Sequence, residues 1–116
     1  MSVVRFGSSK RLSDVAVFGK TVYLTGQVGS EAASLGDQTR SVLASIDRLL
    51  ALAGTDKSNV IQATIWLADR SDFPGMNAVW DEWVDKSNPP ARSTAQVDLL
   101  VPGQKVEITV VAALPD

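Results

Sequence analysis

Apolar and polar positions along this chain change period several times, and each change marks an element. Two β-rich runs, Ser13 to Phe18 and Thr21 to Gly26, flank Gly19-Lys20, the length of a two-residue hairpin turn. Gly, Ser and Ala dominate Gly29 to Gly36, which reads as a loop. From Asp37 the period becomes helical: Val42, Leu43, Ile46, Leu49, Leu50 and Ala53 form one stripe, and Gly54 follows as a C-terminal stop. Asn59 to Ala68 is rich in β-branched and aromatic residues and predicts a strand. Ser71-Asp72 then offers a cap for a second helix, with Pro74 in its first turn and Phe73, Met76, Trp80, Trp83 and Val84 as its stripe. Asn88-Pro89-Pro90 ends that helix, since proline cannot continue it. Two last strands, Ser93 to Leu99 and Lys105 to Ala112, are joined through Val101-Pro102-Gly103-Gln104 and predict a second hairpin. Hairpin, helix, strand, helix, hairpin describes an α+β or α/β sandwich forming one domain over residues 1–116.

Side chains alternate across a strand, so each run divides into two faces. Val22 and Leu24; Ile61, Ala63, Ile65 and Leu67; Ala95, Val97 and Leu99; and Val106, Ile108 and Val110 make an apolar face for the helices to cover. The opposite face carries Thr21, Tyr23 and Thr25; Gln62, Thr64 and Trp66; Arg92, Thr94, Gln96 and Asp98; and Glu107, Thr109 and Val111. Such a mixed face suits a subunit interface, a ligand cleft or a solvated sheet surface. On this division Arg92, Thr25, Thr94 and Thr109 point the same way. Asn77 falls on the buried stripe of the second helix beside Met76 and Trp80, where its amide either ties down nearby backbone or orders the segment carrying Arg92.

Composition narrows the chemistry. The 116 residues contain no cysteine and no histidine, which removes disulfides, thiolate metal sites, a Cys nucleophile, zinc chemistry and a Ser-His-Asp triad. No metal or organic cofactor is implied. The net charge is −2 and the 11 basic residues are spread along the chain, a poor basis for binding nucleic acid. The apolar runs are too short to span a bilayer, and Met1-Ser2-Val3-Val4-Arg5 lacks a secretion signal, so a soluble cytoplasmic protein is expected. Arg92, fixed after Pro89-Pro90-Ala91, is either an ordinary surface arginine or a guanidinium fork for a planar carboxylate.

Tyr23-Leu24-Thr25-Gly26-Gln27-Val28, Ala68-Asp69-Arg70-Ser71-Asp72-Phe73, Met76-Asn77, Pro90-Ala91-Arg92-Ser93-Thr94 and Val106-Glu107-Ile108 together resemble the Rid superfamily, also called the YjgF/YER057c/UK114 family. The resemblance runs from about Ser13 to Ala113. It implies a chorismate-mutase-like α+β fold, with two helices on one face of the sheet. It also implies a homotrimeric barrel with the other face turned inward and three clefts between subunits. Best-studied members hydrolyse 2-imino and 2-enamino acids to 2-keto acids and ammonia. By resemblance Arg92 would hold the substrate carboxylate, backbone near Gly26 and Thr94 would complete the site, Thr25 would face it, and Asn77 would lie close by.

Two departures stand against this pattern. Where the family's deaminases carry a tyrosine before the first hairpin, this chain has Leu12 in Leu12-Ser13-Asp14. Where they carry a glutamate thought to orient the attacking water, Glu107-Ile108-Thr109 ends in Thr109. Its hydroxyl places a water but cannot take its proton. Two functions are therefore expected: an imine/enamine hydrolase using Arg92 and Thr109, or a non-catalytic trimeric module for a small carboxylate. An endoribonuclease, an activity also attached to the family, is disfavoured by the missing histidine and the lack of a basic stripe.

Overall fold

The computed structural model describes residues 1–116. Strand β1 (Val4–Phe6) is followed by β2 (Val15–Phe18), β3 (Thr21–Leu24), β4 (Gln27–Val28), helix α1 (Leu35–Ala53), β5 (Val60–Leu67), helix α2 (Phe73–Trp83), β6 (Ala91–Gln96) and β7 (Val106–Ala113). The sheet runs β1-β2-β3-β7-β5-β6, with β4 also paired to β7. Both helices contribute to one buried apolar cluster on a single face of this sheet, as the helical stripes require.

Several local expectations hold for identifiable reasons. Phe18 pairs with Thr21 across Gly19-Lys20, and Gly19 takes a φ of 61°, which a glycine-first hairpin turn demands. Helix α1 begins two residues before the expected Asp37, because the Ser34 side chain accepts from the Asp37 amide. Gly54 closes it in the left-handed conformation at φ 94°. The entry to α2 differs: Asp69, rather than Ser71-Asp72, caps a short turn (Arg70–Asp72), accepting hydrogen bonds from the Ser71 amide and hydroxyl. Phe73, assigned to the buried stripe, is 42% exposed, whereas Val79 is buried in its place.

The expected second hairpin is not formed. Strand β7 enters the middle of the sheet, antiparallel to β3, β4 and β5, while β6 pairs only with β5 and runs parallel to it. Helix α2 is the crossover that a parallel pair needs. Parallel pairing also fixes the phase of β6: Arg92 lies beside Ala63 and Thr94 beside Ile65, both buried under the helices. Arg92, Thr94 and Gln96 therefore face the helices, and Ala91, Ser93 and Ala95 face the open side, the reverse of the sequence division. The strand stops at Gln96, so Val97 and Leu99 are not part of the sheet.

A register shift between Val60 and Gln62 turns Val60 into the core and leaves Ile61 half exposed, correcting its assignment to the apolar face. A second irregularity lies at Thr25-Gly26, where β3 and β4 advance four residues from Tyr23 to Gln27 while β7 advances three from Val111 to Ile108. The open face displays Tyr23, Trp66, Thr64, Glu107, Thr109 and Val111; Trp66 is 38% exposed. No helix is long and apolar enough to cross a membrane.

Candidate functional site

Arg92 sits on the edge strand with its guanidinium over two rings of α2. Its Cζ is 5.3 Å from the Trp80 ring centroid and 5.9 Å from that of Phe73, distances at which a cation is attracted to an aromatic face. The two ion pairs of the protein, Lys20–Asp116 and Arg40–Asp37, leave Arg92 without a carboxylate. Aromatic packing thus positions the guanidinium while its donor fork remains unclaimed by any acid.

Thr94 follows on the same face of β6, and its hydroxyl is buried without a hydrogen-bond partner. A buried hydroxyl left unpaired is costly, so an orphan of this kind marks a place where an outside group belongs. Asn77 is half-buried rather than buried. It lies four residues after Phe73 and three before Trp80, on the helix face that carries the Arg92 rings. Arg92, Thr94 and Asn77 are therefore brought together at one edge of the sheet.

The other candidates form a second group. Leu12 is 53% exposed on the loop before β2. That loop adjoins Thr25 and Gly26, because the Thr25 amide donates to the Asp14 carbonyl at 3.0 Å. Glu107 sends its carboxylate over Gly26, into the space that a Cβ on Gly26 would occupy. Thr109 lies two residues further along β7 on the same open face, paired with Thr64. This group has apolar, hydroxyl and carboxylate character, and Arg5, Lys10 and Arg11 line the shallow depression around Leu12. Sequence reasoning recognised Glu107 but not its closure over Gly26, which only the bulge at Thr25-Gly26 creates.

Within one copy the two groups do not meet. They occupy opposite faces of the sheet, and β4 is separated from β6 by β7 and β5, about 14 Å at the usual spacing of neighbouring strands. The sequence expectation that Arg92 and Thr94 share a side with Thr25 and Thr109 is corrected accordingly. Its cause is the phase of β6 described above.

Two polar residues outside the candidate set hold the scaffold. Gln38, fully buried, donates from Nε2 to the carbonyls of Ala33 at 3.1 Å and Gly103 at 3.0 Å, and its Oε1 accepts from the Lys105 amide at 2.8 Å. It ties the start of α1 to the turn that launches β7. A signal was available, since Gln38 lies four residues before Val42 on the apolar stripe. Thr55 similarly donates to the Ala113 carbonyl at 2.7 Å, fixing the far end of β7.

Residues 3–114 match the family model described as endoribonuclease L-PSP. The RutC family protein YoaB of Escherichia coli K12 is 43% identical over 114 residues, covering 98% of this chain and 100% of that protein. The human 2-iminobutanoate/2-iminopropanoate deaminase is 33% identical over 107 residues, 86% of this chain and 77% of the relative. Among solved structures, a YjgF family member from Neisseria meningitidis superposes with a TM-score of 0.97 at 38% identity, covering 100% of this chain and 98% of its own.

Proposed function

The chain belongs to the YjgF/RutC/Rid family, and on that premise we propose that it is an imine/enamine hydrolase of the cytoplasm, converting 2-imino or 2-enamino acids to 2-keto acids and ammonia. The observation that carries this reading is Arg92, a guanidinium oriented by Phe73 and Trp80, without an acid partner and next to the orphan Thr94 hydroxyl. A planar carboxylate accepts two parallel hydrogen bonds from such a fork. The relative named for 2-iminobutanoate and 2-iminopropanoate supplies the matching substrate class.

The site is completed between copies of a homotrimer. In this arrangement the edge of one subunit offers Arg92, Thr94 and Asn77. A neighbour brings its open-face group, with Leu12, Thr25, Gly26 and Thr109. The half-exposed Tyr23, Ile61 and Trp66 favour burying the open face against other subunits. In the reaction, water adds to the imine carbon while the nitrogen takes up protons. The tetrahedral carbinolamine then collapses to the ketone, and ammonia leaves. Arg92 fixes the carboxylate throughout, and Thr109 places the water.

A second reading, a non-catalytic module for small carboxylates, is favoured by Thr109 itself, whose hydroxyl cannot accept the proton of the water. Endoribonuclease activity has the least support, since the chain has no histidine, the commonest general base. The discriminating experiment generates 2-iminobutanoate in situ and compares wild type and Thr109→Glu with buffer. Acceleration by the wild type supports the hydrolase. Activity appearing only in Thr109→Glu supports the binding module.

A further inference from the structure

A depression of 410 Å³ opens beside the Arg92 edge, lined by Leu67, Arg70, Phe73, Thr94, Ala95 and Gln96. Phe73 links the two features, since its ring lines the depression and also carries the Arg92 guanidinium. The polar groups here are predominantly donors. Arg70 belongs to neither ion pair of the protein. The Gln96 side-chain oxygen accepts the Arg70 amide at 2.7 Å, which turns its NH₂ group away from that bond and leaves it free to donate. The Thr94 hydroxyl is buried and unpartnered. No acidic side chain lines the space, and Leu67 and Phe73 supply an apolar wall.

We infer that this depression takes a second carboxylate, so that the preferred ligands are dicarboxylic 2-imino acids and their 2-keto products. The first carboxylate lies on Arg92, and the apolar wall receives the intervening methylenes. Arg70, the Gln96 amide and the Thr94 hydroxyl hold the distal carboxylate. A monocarboxylate leaves those donors unused. A site built to hydrogen-bond a group discriminates strongly against an analogue that lacks it. The inference rests on the reading of Arg92 as a carboxylate grip, but not on turnover.

The test titrates the full-length protein with 2-oxoglutarate, oxaloacetate and 2-oxobutanoate by calorimetry, for wild type, Arg70→Ala, Arg70→Lys and the surface control Arg48→Ala. One added charge-assisted contact is worth about a tenfold preference for the dicarboxylates. That preference falls to about one in Arg70→Ala, is partly kept in Arg70→Lys and is fully kept in Arg48→Ala. Equal affinity of the wild type for mono- and dicarboxylates overturns the inference, as does a preference that survives Arg70→Ala. Hydrolysis of 2-iminobutanoate is measured alongside. Turnover with equal affinities refutes the dicarboxylate preference and leaves the hydrolase reading in place. A dicarboxylate preference without turnover of any imine does the reverse.

Discussion

Replacing Gln38 with leucine isolates the polar bracket that aims β7. The side chain is fully buried and makes three hydrogen bonds, two donated to the Ala33 and Gly103 carbonyls and one accepted from the Lys105 amide. Leucine preserves most of the volume and removes all three. At about 0.5–1.5 kcal/mol net per bond, with no replacement partner inside, the loss is about 2–4 kcal/mol. The upper part of that range applies if the Lys105 amide stays dry, and the lower part if the exposed Gly103 turn opens to water. In urea, with a slope of about 2 kcal/mol/M, the midpoint falls by about 1–2 M. The comparison is made at one protein concentration, because self-association adds to apparent stability. Gln38→Glu is the sharper variant: it keeps an acceptor for Lys105 but places unmatched oxygen against the two carbonyls, so it destabilises at least as much. A midpoint for Gln38→Leu within about 0.3 M of wild type at an unchanged slope would refute the bracket.

Three further outcomes follow from the same geometry. Arg92→Lys keeps a charge but loses the planar fork stacked on Phe73 and Trp80, so 2-oxobutanoate binding in a calorimetric titration weakens about tenfold or more. Gly26→Ala puts a Cβ where the Glu107 carboxylate rests; that side chain swings aside at little cost in folding, so thermal stability changes little while imine turnover falls. Asp69 has its pKa held below the ordinary 3.8, first by the Ser71 amide and then by the Ser71 hydroxyl. A lowered folded-state value contributes stability present above the unfolded pKa and lost as pH falls through the folded one. Asp69→Ala therefore flattens the stability profile below about pH 4, read as melting temperature against pH.

How much of this was legible in the sequence depended on how local the cause was. Helix α1 was readable because Val42, Leu43, Ile46, Leu49 and Leu50 repeat at helical spacing and Gly54 has one reason to be there. The first hairpin was equally local. Strand β6 was not, because Ala91–Gln96 carries no apolar residue larger than alanine to set its phase. Its facing comes instead from the parallel register against β5, a partner far away in the chain. Ile61 was misassigned for a related reason, as a single-residue bulge inverts strict alternation. The three-residue β1 and two-residue β4 are too short to show a period at all. As a result Arg92 and Thr94 were identified by type while the face they occupy was not. The separation of the candidate site into two groups could be seen only in the structure.

The central claim is that Arg92 holds the carboxylate of an imine undergoing hydrolysis, and the most direct measurement is the rate of 2-iminobutanoate loss with wild type and with Arg92→Ala at equal concentration. The account predicts acceleration over buffer by the wild type and a loss of about 100-fold or more in kcat/KM for Arg92→Ala, the scale of a bidentate charge-assisted contact. An Arg92→Ala protein that hydrolyses the imine as fast as wild type, or a wild type no faster than buffer, would contradict it.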